Sequence, residues 1–193
     1  MTSPTGPEAS GHDRGKAIAA RTEQRWAIMS VGIIVLLVAM AIFAGIHRAT
    51  MPQTWVEVVD PQTLHITGEF IESNLGSAVE ANGSVTVRVL GQQFSFTPQC
   101  MLLPADTPLT FRATSADTVH GFLIARSNIN SMLVPGYISV LPARFDKPGD
   151  HVMPCHEFCG TGHEGMWARI KVIEKAAFFK LAADQRRLSC VDQ

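Results

Sequence analysis

A twelve-residue segment of this 193-residue chain collects several side chains that bind metals. Residues 155 to 166 read Cys-His-Glu-Phe-Cys-Gly-Thr-Gly-His-Glu-Gly-Met, with thiols at Cys155 and Cys159, an imidazole at His163 and a thioether at Met166. Thiolate and thioether are soft ligands that select copper, and imidazole suits copper equally well, whereas a structural zinc site is closed by cysteine and histidine alone. The presence of Met166 therefore favours copper over zinc.

The two cysteines indicate how many copper ions the segment would hold. A mononuclear blue-copper centre uses one thiolate, two histidines and a weak axial methionine, which leaves one cysteine unexplained. Two copper ions that share both thiolates would use both cysteines. A disulfide between Cys155 and Cys159 is the alternative, but His163 and Met166 follow at ligand spacing and disfavour it.

A second histidine is needed to complete two copper sites. The candidate is His120, in the sequence Asp-Thr-Val-His-Gly-Phe of residues 117 to 122. On its own, such a histidine is more often a core or surface residue. A Greek-key sandwich, however, brings the end of such a strand beside the loop that precedes the last strand. His156 lies between the cysteines and is interpreted as a solvated loop residue.

An uncharged apolar stretch precedes the predicted metal-binding domain. The residues from Trp26 to Ile46 carry no charged side chain, and as a helix they would be about 31 Å long, which matches a hydrocarbon core of ~30 Å. A cleaved signal peptide is the alternative. The stretch is too long for one, and the cleavage-like Ala39-Met40-Ala41 lies inside it rather than after it. We predict a retained, single-pass anchor.

The charges that flank this stretch predict its orientation. Basic residues are concentrated before it, at Arg14, Lys16, Arg21 and Arg25, whereas Arg48 follows it closely. By the positive-inside rule, the N-terminus should be cytoplasmic. We therefore expect the chain beyond Arg48 to lie on the periplasmic or outer face of the cell (plasma) membrane.

Downstream of the anchor, the pattern predicts an all-β Greek-key sandwich followed by a short C-terminal helix. Short stretches of alternating or apolar residues are separated by Gly, Pro and Asp, as is typical of sandwiches and barrels. The predicted strands are residues 84–89, 93–96, 109–113, 119–125, 137–145, 151–153 and 166–173. Residues 174–188 have helical spacing.

The predicted organisation has five parts. They are a cytoplasmic tail at 1–25, disordered over 1–15, a transmembrane helix at 26–47, a connector at 48–83, the β-domain at 84–175, and a helical tail at 176–193. Residues 49 to 168 hold five Lys/Arg against eleven Asp/Glu. This acidic balance suits a basic protein partner and not nucleic acid, and plain solubility explains it equally well.

The metal-binding segment resembles subunit II of the haem–copper cytochrome c oxidases. The resemblance rests on Cys155-x-Glu157-x-Cys159-x3-His163-x2-Met166, on Val119-His120-Gly121-Phe122 upstream and on Pro135-Gly136 between them. It extends from about Arg21 to Glu174. The single span and Asn128-Ile129-Asn130 are similar to the short subunit II of B-type oxidases. The resemblance implies a cupredoxin form of sandwich that holds a binuclear CuA centre.

The resemblance also implies a role for each ligand. Cys155 and Cys159 would bridge two coppers, while His120 and His163 would each bind one. Weak ligands would come from the Met166 thioether and the Glu157 backbone carbonyl. In part of the family the glutamate side chain helps to hold magnesium at the interface with the catalytic subunit, so a magnesium site at Glu157 stays open.

Three further residues receive roles through the resemblance. Family members commonly carry tryptophans where this chain reads Gln93-Phe94-Ser95-Phe96, so Phe94 and Phe96 are candidates for receiving electrons from the donor. Packing in the core is the alternative for Phe94, which could otherwise present an apolar contact patch. Glu23 precedes the span at a position that resembles a proton entrance of B-type subunit II, and an ordinary interfacial charge is its alternative.

The resemblance implies an electron-accepting subunit of a terminal cytochrome c oxidase. It would take electrons from cytochrome c or a cupredoxin and pass them to haem in subunit I, where reduction of oxygen to water is coupled to proton pumping. The sequence has no Cys-x-x-Cys-His motif, so haem would belong to the partner alone. The alternatives are a nitrous-oxide-reductase-like CuA domain and a membrane-tethered copper-binding or assembly module without an oxidase partner.

Two cysteines lie outside the metal-binding segment. Cys100 and Cys190 would share an oxidising compartment and could tie the C-terminal helix to the sandwich through a disulfide. Because Cys190 lies near the end of the sequence, two free thiols are an equally favoured alternative.

Overall fold

The computed structural model describes residues 8–47, 56–184 and 187–190, and the chain divides into two compact units, residues 1–51 and 52–193. In the first unit, α1 spans Glu8–His47. Among the helices of the described residues, α1 is the one that is long and apolar enough to cross a membrane. Its apolar side chains between Trp26 and Ile46 are exposed along their whole length, as a lipid-facing helix requires.

The helix begins earlier than the sequence indicated. Residues 8–15, which we expected to be disordered, lie within α1, and residues 1–7 are outside the described residues. The physical reason is that extending an existing helix adds one hydrogen bond per residue without a new nucleation cost. The alanine-rich turn at residues 17–20 carries the helix from the apolar span into this polar segment.

The second unit is built from short strands. Their bounds, with those of the helix that follows them, are β1 Glu57–Val58, β2 Gly76–Val79, β3 Val85–Gln92, β4 Ser95–Thr97, β5 Cys100–Pro104, β6 Leu109–Ser115, β7 His120–Leu123, β8 Asn130–Leu133, β9 Tyr137–Ala143, β10 Gly149–Pro154, β11 Trp167–Ile173 and α2 Lys175–Asp184. Single 3-10 turns lie at Glu72–Asn74 and His163–Gly165.

Within the described residues, these strands form two facing sheets and a smaller hairpin. The larger sheet has the order β1-β9-β6-β3-β2, with β4 also paired to β3, and the smaller sheet has the order β10-β11-β5. The hairpin is β7-β8. The pairs β3-β6 and β11-β5 are parallel, so the chain crosses between strands of one sheet, and the other pairs are antiparallel. The predicted all-β sandwich is confirmed.

The core lies between the sheets because alternate residues of each strand point inward. Along β11, Ala168, Ile170 and Val172 are buried, whereas the residues between them face solvent. The predicted inward face of β3, formed by Val85, Val87 and Val89, is fully buried. Each such side chain stabilises the fold by about 1.5–3 kcal/mol relative to exposure. This core is the rigid support for the loops described below.

The segment predicted as a connector, residues 48–83, contributes to the sandwich. It contains β1 and β2, and β2 pairs with β3. Leu64, Phe70 and Leu75 form a second small core with Leu90 of β3. The folded domain therefore begins well before Ser84. In this segment, one 3-10 turn at Glu72–Asn74 is followed directly by β2.

The C-terminal segment is tied to both sheets. Phe178 of α2 is buried, and Leu188 and Ser189 form isolated bridges with Ser77 of β2 and Met101 of β5. Cys190 is disulfide-bonded to Cys100 at a sequence separation of 90 residues. Of the two alternatives for this cysteine pair, the structure has the disulfide.

Candidate metal centre

The loop between β10 and β11 carries the metal-binding segment. The two strands are paired antiparallel up to Pro154 and Trp167, so the loop between them starts and ends at neighbouring positions. The backbone N–H of Cys155 donates to the carbonyl of Met166 at 3.0 Å. Cys155 and Met166, which are eleven residues apart in sequence, are thereby adjacent at the end of the β10-β11 pair.

The two thiols of this loop face each other and are unbonded. The Sγ atoms of Cys155 and Cys159 are 3.7 Å apart, and both side chains are about 5% exposed. The Sδ atom of Met166 lies 3.7 Å from Cys159 Sγ, and the carbonyl oxygen of Glu157 lies 3.2 Å from Cys155 Sγ. A thioether and a carbonyl therefore lie beside different thiols.

Each thiol also has its own imidazole. His120, the first residue of β7, places Nδ1 3.9 Å from Cys155 Sγ, and His163 places Nδ1 3.7 Å from Cys159 Sγ. The structure thus brings together the six residues that the sequence proposed as ligands, from two separate parts of the chain. His120 and Met166 are fully buried, so the cluster is largely shielded from water.

The donor set and its spacing fit a copper ion bound at the thiols. Thiolate and imidazole ligands lie about 2.0–2.3 Å from such a metal, so two ligands of one ion are roughly 3.3–3.8 Å apart. The separations between the sulfur and nitrogen atoms of this cluster fall in or close to that range. His120, Cys155 and Cys159 bring their ligand atoms within 4.8 Å of one another. The soft donors select copper.

Asp117 fixes the orientation of the His120 ring. Its Oδ1 atom lies 2.8 Å from His120 Nε2, so Nε2 carries the proton and Nδ1 is left free to bind a metal. Burial raises the pKa of Asp117, but hydrogen bonds from the Gln93 backbone, His120 and the Thr118 backbone outweigh it, so the pKa lies below its usual value. The carboxylate is therefore ionised at neutral pH.

Burial also affects the thiols before any metal binds. Desolvation, followed by the hydrogen bond and the charge of Cys155, raises the pKa of the Cys159 thiol to about 11. At neutral pH this side chain holds its proton. A metal ion that binds here must therefore displace that proton.

Gly121 lets β7 approach the metal-binding loop closely. A Cβ atom at this position would lie 2.5 Å from the backbone nitrogen of Glu157 and 2.7 Å from that of His156. These are backbone atoms of the loop that cannot move aside without displacing the cysteines beside them. Glycine is thus required immediately after His120 for the two ligand-bearing segments to meet.

Several exposed aromatic rings surround the loop. Phe94 is 38% exposed and packs on Gly160 and Gly162, while Phe158, between the two cysteines, is 74% exposed and lies 5.9 Å from the His163 ring. Phe96 is fully buried and packs edge-on against His120 and Phe122. Phe96 therefore cannot be a direct surface contact for an electron donor.

The side chain of Glu157 is half-buried in the loop, and His156 is exposed, in agreement with a solvated residue. Glu23 is exposed on α1, in the first compact unit.

Sequence reasoning missed Asp117, Gln93, Gly121 and Phe158. A carboxylate three residues before a candidate ligand and a glycine directly after it were usable signals, because metal-binding histidines commonly bond to carboxylates. Gln93 gave no such signal, since its contacts are made across the fold.

The sequence also matches known proteins. The family model for the periplasmic domain of cytochrome c oxidase subunit II matches residues 86–173. Cytochrome c oxidase subunit 2 of Thermus thermophilus is 30% identical over 165 residues, which cover 84% of this chain and 98% of that protein. A second subunit 2 from Thermus thermophilus is 32% identical over 129 residues, which cover 66% of this chain and 96% of that protein.

A solved structure supports the same fold. A chain from a cryo-EM structure of a heme-copper terminal oxidase dimer superposes with a TM-score of 0.54 at 23% identity, covering 80% of this chain and 99% of that chain. The near-complete coverage of the first Thermus protein at 30% identity decides between the alternatives that the sequence left open. The chain therefore belongs to the subunit II family of cytochrome c oxidases, the electron-accepting subunits of haem–copper oxidases.

Proposed function

We propose that the chain holds a binuclear CuA centre through His120, Cys155, Glu157, Cys159, His163 and Met166. The thiolates of Cys155 and Cys159 would be shared by both metals. Each metal would also be bound by one imidazole, from His120 or His163, and by one weak ligand, the Glu157 carbonyl or the Met166 thioether.

One observation carries this proposal. Two thiols lie 3.7 Å apart, and a different imidazole nitrogen lies beside each of them. A mononuclear site would gather both imidazoles around one thiol. The weak donors follow the same division, since the Glu157 carbonyl lies beside Cys155 and the Met166 sulfur beside Cys159.

Two bound coppers would act as a one-electron carrier. The transferred electron would be spread over both metals, so that the arrangement of the ligands would change little between oxidation states. The protein's part is to hold the ligands rigid and dry. The full burial of His120 and Met166 and the carboxylate of Asp117 behind His120 serve this purpose. Preorganised ligands keep the reorganisation that accompanies electron transfer small.

Electrons would arrive from cytochrome c or a cupredoxin and leave to haem in subunit I, which reduces oxygen and pumps protons. Phe94 is the proposed contact for the donor, because its ring is partly exposed and packs directly on the metal-binding loop. Apolar aromatic side chains suit transient contacts of this kind.

The proposed location is the plasma membrane, with the N-terminus cytoplasmic and the sandwich on the periplasmic or outer face. The concentration of basic residues before Trp26 supports this orientation. Glu23, exposed on α1, is the proposed collector of protons for subunit I. The side chain of Glu157 is the proposed ligand for magnesium at the interface with that subunit.

Purification of the full-length chain from membranes tests the proposal. Two coppers per chain and a copurifying multispan haem protein would support it. Magnesium that is lost in Glu157→Gln with copper retained would support the interfacial site. One copper per chain would contradict the proposed binuclear stoichiometry. Two coppers per chain without any haem-containing partner would contradict the proposed place of the centre in an oxidase.

A further inference from the structure

The turn between β3 and β4 contacts both parts of the chain that carry metal ligands. On one side, the backbone N–H of Gln93 donates to Asp117 Oδ2 at 2.7 Å. Asp117 in turn holds the His120 ring through its other oxygen, at 2.8 Å. The backbone of Gln93 is thus connected to His120 through a single carboxylate.

On the other side, the side chain of Gln93 reaches the metal-binding loop. Its Nε2 atom donates to the carbonyl oxygen of Cys159 at 2.5 Å. A Cβ atom at Gly160 would lie only 2.9 Å from this amide nitrogen, so the amide packs directly on the loop backbone. The neighbouring ring of Phe94 covers the same stretch, since a Cβ atom at Gly162 would lie 2.6 Å from it.

The loop needs such an external support. The sequence between Cys159 and His163 is Gly-Thr-Gly, and glycine gives the backbone more conformational freedom than any other residue. Gly160 adopts a positive φ of 136°, where other residues are strained. Two ligands therefore flank a segment that local backbone preferences alone do not fix, and a hydrogen bond to the Cys159 carbonyl restrains it.

We propose that Gln93 is a positioning residue of the copper centre. It sets the distance between the segment that carries His120 and the loop that carries Cys159. The inference rests on the proposed function, because it assigns Gln93 to the centre that those ligands form. The backbone of Gln93 acts through Asp117 on one ligand, and its side-chain amide acts through the Cys159 carbonyl on another. Phe94, which follows it directly, places the donor contact on the same rigid unit.

This arrangement predicts what is lost when the amide is removed. Without the Nε2 donor, the Gly-Thr-Gly segment gains freedom and the ligands sample a wider range of separations. Electron transfer then requires more rearrangement, and the electronic structure of the centre shifts. The loss of one hydrogen bond corresponds to roughly a two- to tenfold slower electron acceptance. Metal content stays the same because all six ligand groups remain.

The test compares Gln93→Met with Gln92→Met in the full-length chain purified in detergent. Methionine keeps the length of glutamine but cannot donate, and Gln92 is the adjacent glutamine, which is exposed like Gln93 but is the last residue of β3. We expect Gln93→Met to alter the paramagnetic resonance spectrum and the reduction potential. We also expect the copper centre of Gln93→Met to be reduced more slowly both by cytochrome c and by a small ruthenium amine complex. Gln92→Met should behave like the wild type. The ruthenium complex needs no docking surface, so it isolates the centre itself.

A wild-type spectrum and wild-type rates in Gln93→Met would overturn the inference. Slower reduction by cytochrome c alone, with an unchanged spectrum, would also overturn it, because Gln93 would then be a docking residue. The copper content of the unaltered chain, measured first, tests the proposed function independently of these variants.

A measurement without mutation covers the case in which Gln93→Met fails to fold. The measurement uses the fully reduced, diamagnetic chain with 15N-labelled glutamine side chains. The side-chain Nε2 hydrogens of Gln93 should exchange with water more slowly than those of Gln92. Equal and fast exchange of the two amides would overturn the inference.

Discussion

Asp117 and His120 form a hydrogen bond of 2.8 Å between carboxylate and imidazole, on the side of the ring opposite the thiols. The same ring places Nδ1 3.9 Å from Cys155. The carboxylate therefore decides which nitrogen of His120 is available to a metal.

Replacing Asp117 by asparagine should weaken the centre without abolishing it. The ring loses a charged acceptor, so the oxidised metal is less well stabilised and the reduction potential should rise. Copper affinity should fall roughly 10- to 100-fold. Equilibrium copper binding and protein-film voltammetry measure both quantities. Asp184→Asn, at the exposed end of α2, is the control and should change neither. Unchanged affinity and potential in Asp117→Asn would show that the hydrogen bond has no influence on the metal.

Gly121→Ala should disrupt the contact between β7 and the loop. The added Cβ meets backbone nitrogens of residues 156 and 157, and such overpacking costs about 1–3 kcal/mol. We expect a lower Tm and reduced copper retention in a soluble fragment that begins at Pro52. Gly165→Ala is the matched control within the same loop, because a Cβ there meets nothing within 4 Å. If both variants melt and bind copper alike, the close approach is not structurally important.

Met166 and Cys159 should respond differently to substitution. Met166→Leu roughly conserves buried volume and removes a weak ligand, so copper should be retained while the reduction potential changes. Cys159→Ser removes a thiolate that both metals would share, so the binuclear centre should be lost. Copper analysis with visible spectroscopy distinguishes the two results. Equal loss of copper from both variants would contradict this ranking of the ligands.

The ligand loop could be predicted from the sequence because its donors are local. Cys155, Cys159, His163 and Met166 fall within twelve residues, and their soft donor atoms at this spacing indicate a soft metal. The assignment of His120 needed the expected Greek-key fold as well as the residue types of the loop, since His120 reaches the loop across the fold. Gln93 acts through a hydrogen bond to Asp117, which is 24 residues away, and no local pattern reports that contact.

The strand pattern was predictable where one face is buried. β11 alternates between exposed and buried residues, and β3 alternates in its sequence from Val85 to Val89, whereas β5, with the sequence Cys-Met-Leu-Leu-Pro, has no alternation and was missed. Four of its five residues are buried because the strand is covered on both faces. Phe96 illustrates the same limit. Its exposure depends on the packing of His120 and Phe122 against it, which the sequence does not display.

Glu23→Ala tests the proposed proton collection separately from electron acceptance. Loss of the carboxylate should slow steady-state oxygen reduction by the whole oxidase while leaving electron transfer from cytochrome c to copper unchanged. Steady-state oxygen consumption and rapid-mixing reduction of the copper band measure the two steps. Gln24→Ala, which alters a neighbouring uncharged position, is the control and should change neither. Unaltered turnover and pumping in Glu23→Ala would reduce Glu23 to an ordinary interfacial charge.

The most direct test of a binuclear centre is the paramagnetic resonance spectrum of the oxidised chain together with its copper content. Two thiols 3.7 Å apart, each beside its own imidazole, predict two coppers per chain that share one unpaired electron. The spectrum should then show a seven-line or similarly delocalised hyperfine pattern. One copper per chain with a simple four-line pattern would contradict the account.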